Sequence, residues 1–402
     1  MVRPERLFTR EFIVLNSIIF LTFCNVAVFF QLHHYLATDL HIEHEWIGLL
    51  IGLFSFTGLI IRPIISPMLH PDNSGRWIFF GTIGVIIFLL LYYPARGVLS
   101  MALVRILHGG AYVVVGSAVM ARLVGCIPQS RSGQAFGMVS VITLLPFAVM
   151  PPLLDPLTEL LGGYIPVLCL TALFMLPVFV LLRLIEPVIK GREEIKEKKI
   201  TAREFISNLK DVSVISLLII SLLLYSAFSM AFYFITLFAH TFNITNPGWF
   251  FTICTFTEIM VRVLGGHLFD RGSKPLLLAV SFIILFIAYL VLANTTGTVL
   301  FYSLGLIFGL AWGVAMPLLN GILFDISPPK YRVLNANLGL EMFQGGLFLG
   351  PIAGGIILGG LSYRVLYYFC CVLILICLCM TPFLRREKKN NEMLEVNQLP
   401  SV

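Results

Sequence analysis

Charge is scarce in this chain: 12% of its 402 residues are charged, 58% are apolar, and the mean hydropathy is +0.94. A soluble domain carries about a quarter charged residues, so a water-exposed globule is excluded. Metal-ligand spacing is also missing. The eight cysteines, at 24, 126, 169, 254, 370, 371, 377 and 379, fall mostly in apolar runs and read as small buried hydrophobes. No segment has the form G-x-x-x-x-G-K-[ST] that cradles a nucleotide, so ATP-driven pumping by this chain is excluded. With no activated nucleophile and no metal set, the chain reads as a non-enzyme without a cofactor. The net charge of +6 does not point to nucleic acid, because the bases cluster at the ends of apolar runs and not on one face. Behind the basic N-terminus the apolar run extends from about Phe12 to Tyr35, too long for a signal h-region and without a small-residue cleavage site. An uncleaved first span is expected.

What the chain has is long apolar runs. A membrane-crossing helix needs about 20 mostly apolar residues. Twelve segments qualify, at about 11–36, 46–69, 75–96, 98–124, 130–154, 163–185, 211–239, 246–269, 274–294, 298–323, 332–360 and 362–384. Only helices satisfy every backbone group within one such segment, so an all-α membrane protein is predicted. The eleventh run holds Gly345-Gly346 and Gly350-Pro351 and is expected to be tilted or interrupted. From Glu186 to Asp211 charge becomes dense, which reads as a solvated connector that includes a short surface helix. The chain thus divides into a first six-helix bundle (1–186), a linker (187–210), a second six-helix bundle (211–384) and a tail (385–402). Arg62, Arg76, Arg122, Arg131, Arg271, Lys274, Lys330 and Arg332 share one set of span ends with the basic N-terminus, linker and tail. Only Arg96 and Arg364 lie at the other set, so both termini are expected in the cytoplasm.

The two halves repeat. Gly266-His267-Leu268-Phe269-Asp270-Arg271-Gly272-Ser273-Lys274 has the form G-x-L-x-D-R-x-x-K. Near an offset of 200, Arg62 pairs with Arg262, Ser66 with Gly266, His70 with Asp270, Gly109 with Gly309, and Pro151 with Pro351. Arg131 and Gly137 pair with Arg332 and Gly339 after a slip of one or two residues. A charged hinge repeated in both halves implies two similar bundles related by a pseudo-twofold axis, the build of a secondary transporter.

Further patterns sit at matching places: Arg105-Ile106-Leu107-His108-Gly109, similar to R-x-x-Q-G, in span 4, and Gly350-Pro351-Ile352-Ala353-Gly354-Gly355 in span 11. Over essentially the whole chain this pattern resembles the major facilitator superfamily, and is most similar to its drug and metabolite efflux branch of proton antiporters. Two departures are clear, and the first is that the first-half hinge carries His70 in place of the aspartate and Ser66 in place of the glycine. The second is that the efflux branch usually carries G-P-x-x-G-G on span 5, where this chain reads Met150-Pro151-Pro152-Leu153-Leu154-Asp155.

The resemblance implies alternating access and proton-coupled export of a drug, metabolite or chelator. Two alternatives stand beside it: a proton-coupled nutrient importer, and a non-transporting receptor on the same fold. It further implies a monomer in a bacterial inner membrane, with a small-molecule substrate, protons and lipids as partners and no nucleic acid. Arg62, His70, Arg76, Arg131, Arg262, Asp270, Arg271, Lys274 and Arg332 would form gating pairs on the cytoplasmic side, or merely anchor helix ends. An exposed ion pair is worth only about 0–1 kcal/mol, which suits a latch that opens in every cycle.

Four residues are candidates for proton coupling. Arg105 lies about 12 Å inside the outer end of its span, at a rise of 1.5 Å per residue. Burying it costs at least about 2.5 kcal/mol, so it needs a partner. It either takes part in coupling or binds backbone carbonyls. His108, on the same face, either titrates or packs. Glu258 falls near the midplane of span 8, where it either loads and releases a proton or forms a static bridge to Arg262. Glu341 is a further candidate, with a pairing to Arg332 as its alternative. Asp155 is placed too near the outer surface.

On the helices that line a superfamily cavity, the candidate substrate contacts are Asn25, Phe29 and Gln31 of span 1 and Tyr112 of span 4. Span 7 adds Phe228 and Tyr233, with Tyr225 and Met230 beside them. Span 10 adds Trp312 and Asn320, and span 11 adds Phe343 and Gln344. Gly309 and Gly313 are expected to thin span 10 and leave the Trp312 indole a space to fill. Such a lining suits an amphipathic organic solute.

Overall fold

A computed structural model describes residues 8–127, 132–185, 202–271 and 273–384. The first bundle contains α1 (Arg10–Ala27), α2 (Leu32–Thr38), α3 (His44–Ile65), α4 (Pro71–Leu90), α5 (Val98–Cys126), α6 (Ser132–Leu161), α7 (Tyr164–Leu173) and α8 (Leu176–Arg183). A short α9 (Ala202–Leu209) precedes α10 (Val212–His240), α11 (Gly248–Arg271), α12 (Lys274–Asn294), α13 (Thr298–Ile326), α14 (Arg332–Gly360) and α15 (Tyr363–Met380). Among the described residues, eleven spans are long and apolar enough to cross a membrane, with α1–α2 and α7–α8 each forming one span. The helix α11, 24 residues long and carrying Glu258 and Arg262, is the twelfth by length and position. The all-helical, twelve-span architecture is the one expected.

The interruptions fall elsewhere than predicted. The helix α14 is continuous despite its glycines. Its Gly346 and Gly350 instead let it close on α10: a Cβ on either would lie under 3.0 Å from Tyr225 or Ser226. The first span is the broken one, through a 3-10 turn at Val28–Gln31. The Val28 carbonyl accepts a hydrogen bond from the Tyr164 hydroxyl at 3.0 Å, so the buried turn is satisfied from α7. The sixth span breaks at Phe174 and Met175, just before Pro177, which has no N–H to bond the Leu173 carbonyl and disfavours a helical Leu176.

The helix α9 marks one end of the molecule. Its Asn208 amide donates to Asn335 of α14 at 2.6 Å, and Glu204 pairs with Lys330. The end where α2, α6, α10 and α14 finish is the opposite, or far, end.

Close contacts repeat between the halves at the predicted offset. A Cβ on Gly109 of α5 would lie under 3.0 Å from the Phe54 carbonyl of α3, and one on Gly309 of α13 equally near that of Cys254 in α11. Across the bundles the pairing is reciprocal. Gly48 of α3 lies against Pro351 of α14, and Gly248 of α11 against Pro151 of α6. Both pairs exchange under a shift of 200 residues, as a pseudo-twofold axis through the seam requires. Glycine is needed at each because any side chain would force two helix backbones apart.

Candidate functional site

Two helix pairs, α3 with α14 and α6 with α11, form the seam between the bundles. Proline chemistry holds its far end. Pro152 and Pro156 lack the N–H that would bond the carbonyls of Ala148 and Pro152 inside α6. The second bundle supplies the missing donors: the Thr252 hydroxyl donates to Ala148 at 2.7 Å, and the Asn246 amide to Pro152 at 3.0 Å. Rings close the same end. Phe30 meets Phe251 at 5.2 Å and Phe232 at 5.8 Å, and Phe147 meets Phe232 at 5.6 Å between centroids. Further toward α9, a Cβ on Gly137 of α6 would meet nothing within 4 Å.

Charge gathers on the seam below this closure. Glu258 is 4% exposed, and its carboxylate accepts a hydrogen bond from Arg262 one turn along α11. The same guanidinium reaches across to the Ser140 hydroxyl of α6 and to the Met316 sulphur at 3.9 Å. A cavity of about 640 Å³ opens here, lined by Gln134, Gly137, Ser140 and Val141 of α6, Arg262 of α11 and Pro317 of α13. On the other seam Arg62 of α3, the repeat mate of Arg262, is the charged neighbour of Glu341 in α14 and of Tyr112. The repeat mate of Glu258 is Gly58, packed on the Gln344 amide. The twofold therefore holds in the backbone and breaks in the chemistry, and the α6–α11 seam carries the buried carboxylate.

Arg105 is fully buried and bound to backbone: its Nε donates to Leu50 at 3.0 Å and its Nη2 to Ile51 at 2.6 Å, both in α3. Its guanidinium lies 4.6 Å from the Phe29 ring and 4.9 Å from the Phe54 ring. This is the carbonyl-bonded alternative for Arg105. His108 is enclosed by Phe54, Phe29 and Tyr92 at 5.3, 5.5 and 5.9 Å. Tyr233 of α10 interacts with Arg105 from the opposite bundle.

Two candidate substrate contacts are placed away from the seam. The 3-10 turn rotates Phe29 into the first bundle, and the Gln31 side chain is taken by Asp155 and by Thr158 at 3.2 Å, both in α6. Of the remaining candidates, Tyr112, Phe228, Tyr233, Trp312, Phe343 and Gln344 make contacts within or beside the seam helices. Asn25 donates to Leu21 at 2.9 Å and leaves its buried oxygen without a partner among the described residues. Tyr112 lies tilted against Phe54 at 5.2 Å, while Phe228 meets Trp312 edge-on at 4.7 Å and Phe343 meets Tyr225 edge-on at 4.8 Å. Asn320 is exposed on α13. The expected role of the glycines beside Trp312 is corrected: Gly309 and Gly313 face Cys254, Thr257, Glu258 and Val261 of α11, and they serve helix approach.

The gating set divides. Arg62 and Arg262 stand on the seam. Lys274 pairs with Asp325 at 2.8 Å inside the second bundle, and Arg332 lies over Phe324 at 4.3 Å, so neither bridges the bundles. His70 begins α4, its backbone N–H donating to Asn73 at 2.9 Å. Arg76 lines a groove on the outside of the first bundle. Arg131 and the side chains of Asp270 and Arg271 lie outside the described residues. Sequence reasoning missed Ser140 and Thr252. The signal for Thr252 was the pair Pro152 and Pro156, which frees carbonyls that another helix must satisfy.

Known proteins share this architecture. The family model described as Major Facilitator Superfamily matches residues 15–338. An uncharacterised MFS-type transporter of Methanocaldococcus jannaschii is 23% identical over 328 residues, covering 80% of this chain and 84% of that protein. The quinolone resistance protein NorA of Staphylococcus aureus is 24% identical over 135 residues, a match covering 34% of each chain. Among solved structures, the nucleoside transporter NupG superposes with a TM-score of 0.77 at 14% identity, covering 94% of this chain and 100% of that one. A bacterial homologue of the human lysosomal transporter Spinster, inward-facing and unoccupied, gives a TM-score of 0.67 at 15% identity, over 93% and 94% of the two chains.

Proposed function

This chain belongs to the major facilitator superfamily, and from that premise we propose that it exports an amphipathic organic solute in exchange for protons. The observation that carries the reading is the buried Glu258 carboxylate, held by Arg262 beside a cavity on the seam. A proton on Glu258 removes the negative partner of Arg262 and loosens the tie from α11 to Ser140. The carboxylate thus has two states, and the seam differs between them.

In the proposed cycle the solute enters from the α9 end, which the distribution of basic residues assigns to the cytoplasm. The bundles, residues 1–186 and 211–384, then swing about the seam on the linker 187–210. When the far end opens, the solute leaves and a proton reaches Glu258. Return to the far-end-closed state releases that proton to the cytoplasm and restores the Glu258–Arg262 pair. Tyr112, Phe228, Trp312, Phe343 and Gln344 offer the solute aromatic faces and one amide, while Arg62 and Glu341 supply the charged wall. Arg105 and His108 are assigned to packing, Arg105 also meeting Tyr233 across the bundles. Export is preferred over import because of the match to a quinolone resistance protein over a third of each chain. The proposed home is a bacterial cytoplasmic membrane, with both termini inside.

The test uses inverted membrane vesicles energised to an acidic interior, with a panel of labelled amphipathic cations and quinolones. Gradient-dependent accumulation is expected with the wild-type chain. The Glu258→Gln variant should lose accumulation yet keep solute exchange without a gradient. Depletion of label instead would mark an importer, and accumulation unaffected by Glu258→Gln would refute the coupling role.

A further inference from the structure

On the outside of the first bundle, away from the seam, a groove of about 550 Å³ runs between α4, α5 and α8 at the α9 end. Its lining is sorted by depth. Arg76 lies in the second turn of α4, Arg122 one turn before the end of α5, and Arg183 on the last turn of α8. The chain directions of these three helices put all three guanidinium-bearing residues on the α9 side of the groove. One turn deeper toward the membrane centre stand Phe79 and Phe80 of α4 and Phe179 of α8. Phe80 is 68% and Phe79 41% exposed, and Phe79 meets Phe179 edge-on at 5.2 Å. Gly75 keeps the wall open beside Arg122, whose Nη1 lies 3.9 Å from where a Cβ would be.

The charges of the groove do not cancel. Arg122 donates to Glu11 of α1 at 2.6 Å, which neutralises one guanidinium. Arg76 and Arg183 are exposed and form no ion pair among the described residues. Two uncompensated cations above a cleft of exposed rings, at the level where a span meets its interface, match one kind of occupant. We infer that this groove binds an anionic glycerophospholipid, with the phosphate between Arg76 and Arg183 and an acyl chain along Phe79, Phe80 and Phe179. A free phosphate would satisfy the arginines and leave the rings uncovered. A zwitterionic lipid would bring an ammonium group against the arginines.

Full-length protein purified in detergent is incubated with phosphatidylglycerol, phosphatidylcholine or inorganic phosphate, and bound lipid is counted by native mass spectrometry. Retention of phosphatidylglycerol in preference to phosphatidylcholine, with no protection by phosphate, is expected. Each arginine near a membrane surface contributes about 1 kcal/mol toward an anionic lipid, or roughly fivefold in affinity. Arg76→Gln with Arg183→Gln should thus weaken phosphatidylglycerol binding roughly 25-fold. Arg96→Gln, at the far end, should leave binding unchanged, and a fold check by circular dichroism accompanies each variant. A short brominated phosphatidylglycerol should also quench a tryptophan introduced by Phe179→Trp. Equal retention of both lipids, binding by phosphate alone, unchanged affinity in the double variant, or no quenching in Phe179→Trp beyond that of the native tryptophans would each overturn the assignment.

Discussion

The reciprocal glycines make a quantitative demand on the conformational equilibrium. Gly48→Ala and Gly248→Ala each place a Cβ under 3.0 Å from a proline carbonyl of the opposite bundle. These atoms are backbone and cannot turn aside, so the helices must part. Overpacking of this kind costs about 1–3 kcal/mol. The cost falls on the far-end-closed state alone, because the contact exists only while the bundles touch there. Since about 1.4 kcal/mol is tenfold in an equilibrium, each substitution should enrich the far-end-open population by roughly 5- to 160-fold. Spin labels at Leu160 and Val299, 78% and 82% exposed at the far ends of α6 and α13, report the opening in a cysteine-replaced background. A longer distance component should grow in each variant and grow further in the double variant. Gly360→Ala is the control, as its Cβ would meet nothing within 4 Å. Unchanged distance distributions, at unchanged thermal stability, would refute the claim that these contacts hold the far end shut.

Three further outcomes follow from the same geometry. Thr252→Val and Asn246→Ala each leave a proline-freed carbonyl without its donor and should weaken far-end closure by about 1 kcal/mol, read with the same labels as a shift of roughly fivefold. Removing Arg262 alone, as Arg262→Met, leaves the Glu258 carboxylate buried without its cation and should cost about 3–5 kcal/mol in thermal unfolding, whereas Glu258→Gln with Arg262→Met should recover most of it. Arg105→Lys removes a planar fork that serves two carbonyls and two rings at once and should lower the melting temperature, while the pH profile of transport by the folded fraction stays that of wild type.

Much of the fold was legible because lipid forces it. A segment of twenty apolar residues has few options but a helix, and the repeat from Arg62 to Arg262 carried the pseudo-twofold. The equivalences of Gly109 with Gly309 and Pro151 with Pro351 are matched close contacts in the fold. Helix interruptions were harder to read. Glycines in α14 suggested a bend, yet a glycine both loosens a helix and lets another approach, and which effect wins depends on the neighbour. Here α10 occupies the space. The break at Val28–Gln31 depends on the Tyr164 hydroxyl, 136 residues away in sequence. The site was legible in part. A carboxylate in the middle of an apolar run is exceptional, so Glu258 and Arg262 stand out in the sequence, and the bridge between them, one of the two readings for Glu258, is present. Ser140 could not, because a serine in a helix carries no mark of the arginine that reaches it. The places of Phe29 and Gln31 depend on the same turn: its tighter winding changes the direction in which each side chain leaves the helix, toward Tyr92 and Asp155.

The central claim, that Glu258 couples solute movement to protons, is tested most directly in proteoliposomes loaded with a pH-sensitive dye. With equal pH on both sides, an outward gradient of a transported solute should drive protons inward, seen as internal acidification. Glu258→Gln should move solute without that signal. Proton movement that persists in Glu258→Gln, or solute movement in the wild-type chain with no change of internal pH, would contradict the account.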